Sequence, residues 1–140
     1  MIAYVDASVV LRVVFGQPGA LDEWRRIDRA VSSELARVET LRALDRLRVR
    51  AQLDEQAVGR RRAVLLETLE AIELVPLEDS ILERAGDPFP TTLGTLDALH
   101  LASALAVRPD IPSLLFATHD AELGLAAMAM GLAVIGVPAS

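Results

Sequence analysis

The chain has no cysteine and no lysine, and across 140 residues only three Phe, one Trp and one Tyr. Without cysteine there is no disulfide framework, thiolate zinc site, iron–sulfur cluster or cysteine nucleophile, and a reducing compartment is comfortable. Without lysine, every mechanism that needs a catalytic lysine is excluded. All fourteen basic residues are therefore arginine, for which compositional bias in the genome is the plain explanation. The scarcity of aromatics leaves the core to Leu, Val, Ile and Ala, and leaves few rings on which bases can stack. Long apolar runs are missing too. The stretch 123–137 carries no charge, but it falls short of the roughly 20 residues a membrane helix needs and reads as a packed helix followed by a strand. Residues 1–6, Met-Ile-Ala-Tyr-Val-Asp, lack the basic start of a signal peptide and reach an aspartate too early for one. The expectation is a soluble, cytoplasmic protein with no membrane partner.

What is present is a 52% apolar chain of net charge −6, of ordinary length for one compact domain. No repeat, linker or low-complexity tract divides it, so residues 1–140 are read as a single domain. The negative balance speaks against nucleic acid unless the acids gather at a cation, which reverses the local sign. Short apolar runs at 2–5, 30–33, 73–77, 113–117 and 132–137 read as strands. Helices are expected over 7–15, 21–29, 34–50 (capped by Ser33), 55–72, 79–85, 96–107 and 121–130, with a loop at 86–90. Strands alternating with helices imply an α/β fold: a three-layer α/β/α sandwich around a short, mostly parallel sheet. In such folds ligands bind beyond the carboxyl ends of the strands, where strand order reverses. Asp6 and Asp120 each follow a strand-like run, which places two carboxylates on that rim.

Each acid also has a plainer reading. Asp6 and Asp120 are placed to cap the helices that follow them, with Ser8 and Thr118 offering hydroxyls alongside. Asp97 is the only formally charged residue between 91 and 107. A carboxylate in a helix that is apolar nearly all round needs a partner or a metal, unless it serves the helix dipole in the first turn after a Thr95 cap. Glu39 shares a narrow helical arc with Arg42, Arg46 and Arg50. That arc is either a solvated stripe with a Glu39–Arg42 pair, or an acid at the rim beside a phosphate-binding arginine track. His100 and His119 have neither cysteine companions nor HExxH spacing, so they are read as structural residues rather than zinc ligands.

Taken together the acids form a known pattern. Val5-Asp6-Ala7-Ser8 after an apolar strand resembles the opening of PIN domains, as does Ser32-Ser33-Glu34-Leu35-Ala36-Arg37-Val38-Glu39 followed by Leu41-Arg42-Ala43-Leu44. Leu96-Asp97-Ala98-Leu99-His100-Leu101-Ala102 is similar to the family's third motif, its most specific, and Phe116-Ala117-Thr118-His119-Asp120 to its fourth. The match spans nearly the whole chain in the right order, and length and single-domain form point to VapC-like toxins of toxin–antitoxin pairs.

The resemblance implies a PIN-like endoribonuclease that cuts single-stranded RNA with Mg²⁺ or Mn²⁺. Asp6, Glu39, Asp97 and Asp120 match the family's acidic quartet; Asp6, Asp97 and Asp120 are assigned the metal, and Glu39 a shared role in ligation or water positioning. It further implies a homodimer and a cognate antitoxin protein that blocks the rim. Two positions depart from the family. Gly94 stands where many relatives carry arginine, and Glu122 where a basic residue is common. The alternative is a catalytically inactive PIN-like protein-interaction module, whose acids would be caps. Receiver domains need a lysine and dehalogenase-type phosphatases an Asp-x-Asp, where this chain has Asp6-Ala7-Ser8, so both fail.

Overall fold

The computed structural model describes residues 1–138. Its strands are β1 (Ile2–Val5), β2 (Arg29–Ser33), β3 (Ile72–Val75), β4 (Leu115–Ala117) and β5 (Ala133–Ile135). They form one sheet in the order β3-β2-β1-β4-β5, and all four pairings are parallel. The helices are α1 (Ala7–Val14), α2 (Leu35–Arg50), α3 (Glu55–Glu70), α4 (Asp79–Gly86), α5 (Thr95–Val107) and α6 (Ala121–Ala129).

Alternation along the central strands builds two cores. Tyr4, Val31 and Phe116 face one side, where Leu101 and Ala104 of α5 and Leu123, Ala126 and Ala127 of α6 cover them. Ala3, Val5 and Ala117 face the other, against Val9 and Val10 of α1, Leu44 of α2 and Leu65 and Leu69 of α3. Side chains two residues apart share a face, so β1 feeds both layers and is buried on each. The expected α/β/α sandwich is therefore formed.

The chain runs outward from β1 through β2 to β3, then crosses back to place β4 on the other side of β1. The order reverses between β1 and β4, and the crevice at their carboxyl ends is where this class of sheet binds ligands.

Several boundaries differ from the sequence reading. The helix expected over 21–29 is only a 3₁₀ turn at Trp24–Arg26, and Arg29 already belongs to β2. Leu21, Trp24 and Ile27 recur every three residues, the period of a 3₁₀ turn, and all three dock on the α1–α3 side of the sheet. Ile72, expected at the end of a helix, opens β3 opposite Ala30, because burying a β-branched side chain in the ladder outweighs one more helical turn. Gly86 closes α4 instead of starting the loop. The sheet is wholly rather than mostly parallel. No helix among the described residues is long and apolar enough to cross a membrane.

Candidate functional site

Asp6 sits one residue beyond β1, almost fully buried, with its backbone N–H donated to the Ala117 carbonyl across the crevice. Its side chain is held from three directions. Oδ1 accepts from the Ser8 hydroxyl (2.6 Å) and the Val9 N–H (3.2 Å), and Oδ2 accepts from the Thr118 hydroxyl (2.5 Å). The cap reading of Asp6 is therefore correct, yet capping occupies only one of its two oxygens. A carboxylate clamped by several donors keeps its charge in place at little entropic cost.

Asp120 repeats the arrangement at α6, accepting the Leu123 N–H at 3.0 Å while remaining exposed. Thr118 joins the two acids, donating to Asp6 and accepting the Asp120 N–H at 3.0 Å. Ser8 does the same on the other side, accepting the His119 N–H at 3.2 Å. Both hydroxyls thus stitch the β1 end to the β4 end. Gly136, just past β5, backs this seam. Its φ is +97°, and a Cβ there would lie 2.5 Å from the Thr118 carbonyl oxygen. Its carbonyl accepts from His119 Nδ1 at 2.8 Å, so the proton of that ring is on Nδ1.

Asp97 lies in the first turn of α5, but Gly94 rather than Thr95 occupies the cap position. The carboxyl is pushed above its ordinary value, first by burial and then by the charges of Asp120, Asp6 and Glu39, with His100 opposing. The shift also places Asp120, Asp6 and Glu39 within electrostatic reach of Asp97.

Glu39 is in the second turn of α2, and its expected pairing with Arg42 is not formed. Arg42 pairs with Asp45 at 3.3 Å, while Glu39 Oε1 lies 2.5 Å from His100 Nε2. The solvated-stripe reading of Glu39 is thereby corrected: its carboxylate turns inward because a buried imidazole offers a donor. Neither His100 nor Tyr4, whose hydroxyl bonds the other ring nitrogen at 2.8 Å, was singled out for the site by sequence reasoning. The signal was present: one histidine in an otherwise apolar helix, one turn beyond Asp97, and one tyrosine in a buried strand whose hydroxyl needs a partner.

Among the described residues, no arginine forms an ion pair with any of the four acids. The donors are carboxylate oxygens with uncompensated charge, the chemistry that suits a hard divalent cation such as Mg²⁺ or Mn²⁺. They do not stand as a finished cage, since no group of three or more His, Asp or Glu side chains among the described residues is arranged to hold an ion. The donor set fits; side-chain closure would have to complete it. A cleft of about 480 Å³ opens beside His119, lined by Arg12, Leu21, Asp22 and Val137 among others, and none of the four acids lines it.

A parallel α/β/α domain with carboxylates near its switch point offers the oxygen donors that a hard divalent cation takes. The family model described as the PIN domain matches residues 3–126, and this chain belongs to that family. Nucleases of the family are hydrolases acting on RNA and are generally dependent on divalent metal. The chain is 34% identical over 136 residues to Ribonuclease VapC46 of Mycobacterium tuberculosis, covering 94% of this chain and 95% of that one. It is 28% identical over 122 residues to Ribonuclease VapC47 of the same species, covering 86% and 85%. Among solved structures it resembles PAE2754 from Pyrobaculum aerophilum (TM-score 0.57, 20% identity, covering 96% of this chain and 83% of that one). It also resembles VapBC-5 of M. tuberculosis, a member of the VapBC family of toxin–antitoxin systems (TM-score 0.52, 23% identity, 99% and 97%). At such identities these two likenesses speak to fold alone.

Proposed function

We propose that this chain, as one domain over residues 1–140, is a divalent-metal-dependent endoribonuclease of single-stranded RNA and the toxin of a toxin–antitoxin pair. The observation that carries the reading is the family match over residues 3–126, together with an Asp97 carboxyl raised by burial and by the charges of Asp120, Asp6 and Glu39. Asp6, Asp97 and Asp120 would hold Mg²⁺ or Mn²⁺. When bound, such an ion orients the phosphodiester, supplies a nucleophilic water and stabilises the leaving oxygen. The chain's own part is positional. Ser8, the Val9 N–H and Thr118 hold Asp6 still. Glu39 orients water at the rim, and the arginines of α2 attract the phosphate backbone. The toxin works in the cytoplasm as a homodimer, and its antitoxin covers the rim with groups that complement its negative charge.

RNA cleavage measured with Mg²⁺ or Mn²⁺ against EDTA tests the reading, for wild type and Asp97→Asn. Cleavage confined to metal-loaded wild type is expected; equal activity in all samples overturns it. The second reading, an inactive interaction module, is favoured by the capping bonds of Asp6 and Asp120 and by the unfinished cage. Calorimetry with Mn²⁺ separates the two, because a rim of caps alone shows no binding that Asp6→Asn abolishes.

A further inference from the structure

His100 is 1% exposed and sits between two polar groups from different elements. On one side is the Tyr4 hydroxyl of β1, 2.8 Å from Nδ1; on the other is Glu39 Oε1 of α2, 2.5 Å from Nε2. The Tyr4 hydroxyl can donate to the ring or accept from it. Nearby Ser32 and Ser103 spend their own hydroxyl protons on the carbonyls of Val5 and Leu99. The Glu39 carboxylate can only accept, so Nε2 carries a proton and donates to it, while Nδ1 faces the Tyr4 hydroxyl.

Packing locks this order. The His100 ring meets Tyr4 edge-on (73°, centroids 5.9 Å apart), and Tyr4 stacks on Phe116 (5°, 5.4 Å). Glu39, by contrast, is a long side chain in the second turn of a helix, and His100 is the one group among the described residues that hydrogen-bonds its carboxylate.

We infer that His100, backed by Tyr4, is a positioning residue for Glu39: it holds Oε1 and so leaves the second carboxylate oxygen turned to the reaction. This rests on the nuclease reading above. It implies that Glu39 acts through one oxygen, on a water rather than as a two-oxygen clamp.

A double-mutant cycle decides it, using kcat and KM on an RNA oligonucleotide with saturating Mn²⁺, and melting temperature as a check on folding. His100→Leu is expected to lower kcat about 10–100-fold with KM little changed, the usual cost of losing such a partner. Tyr4→Phe should lose less, and His100→Gln, whose amide can still donate, should recover part of the loss. In a Glu39→Gln background His100→Leu should cost nothing more. Nitrogen-15 NMR of wild type should show His100 protonated on Nε2, with a signal that moves in Glu39→Gln. Equal losses in both backgrounds, or a ring with no proton on Nε2, overturn the positioning role. If His100→Leu fails to fold, His100→Gln and Tyr4→Phe in the same two backgrounds decide the same question. A wild type inert with metal present overturns the nuclease reading and the positioning role together; an active wild type with additive losses overturns the positioning role alone.

Discussion

The acidic rim and the α2–α3 hairpin are both charged, and they are built on opposite principles. At the rim Asp6 is clamped by three donors and Glu39 by an imidazole, and among the described residues none of the four acids pairs with an arginine. Between residues 42 and 62 stand Arg42, Arg46, Arg48, Arg50, Arg60, Arg61 and Arg62 against Asp45, Asp54 and Glu55, in a chain whose net charge is −6. Of these arginines, Arg42 and Arg48 share Asp45, while Arg61 lies over the Phe15 ring at 5.7 Å. Arg46 and Arg50 border a shallow groove with Leu11 and Phe15, at the end of α1 remote from Asp6. The difference is instructive. Charges that must meet a reacting group are fixed by hydrogen bonds, whereas charges that attract a polyanion act at range and can stay mobile on the surface.

The contrast can be broken first at the rim. Asp6→Asn and Asp97→Asn should each reduce RNA cleavage at least about 100-fold, or about 2.7 kcal/mol of barrier, in a fixed-metal assay. Retention of full activity in either would dissolve the distinction. Next comes the seam that holds the rim. Gly136→Ala places a Cβ against the Thr118 carbonyl at positive φ, and chemical denaturation should show a loss of about 2 kcal/mol or more. Gly94→Ala, with open space and an ordinary φ, should stay within about 0.5 kcal/mol.

The hairpin should respond differently. Arg46→Gln with Arg50→Gln should weaken RNA binding several-fold without altering cleavage at saturation. The salt dependence of binding should fall by about one unit of slope for each phosphate that is no longer neutralised. An unchanged slope would remove these arginines from the substrate path.

The smallest effect is thermodynamic. The folded Asp97 carboxyl is raised above its ordinary value of 3.8, so the native state binds its proton more tightly than the unfolded chain does. Stability from this group is therefore greatest at acid pH and falls as pH rises from 3.8 through the native value. Asp97→Asn should then raise the melting temperature at pH 7 by a few degrees, on the order expected for a domain of this size, and the gain should fade as pH drops towards 3.8. A lower melting temperature at pH 7 would mean that the repulsion at the rim is already relieved.

Much of the candidate site was legible in the order of residues alone. Asp6, Asp97 and Asp120 stand out because each breaks an apolar run, and a lone carboxylate in such surroundings calls for an explanation. The motif order around them resembles one family, and the family match bears that out. Residues 21–29 misled because Leu21, Trp24 and Ile27 are as compatible with one face of a helix as with a 3₁₀ turn, and only docking on the sheet distinguishes them. Glu39 stayed between two readings for a related reason: on its own helix Arg42 is the opposite charge at i+3, and the partner it takes comes from residue 100.

Local pattern was enough for the alternation of strands and helices, the buried β1 and the acids that punctuate it, because hydrophobic period and capping chemistry are set by near neighbours. Tertiary structure alone decided which hydroxyl serves which carboxylate. It turned Thr118 towards Asp6, set Gly136 against the Thr118 carbonyl, and placed His100 between Tyr4 and Glu39. Those partners lie 112, 18, 96 and 61 positions apart in the chain, and a hydrogen bond forms between groups that packing brings together, whatever their separation in sequence.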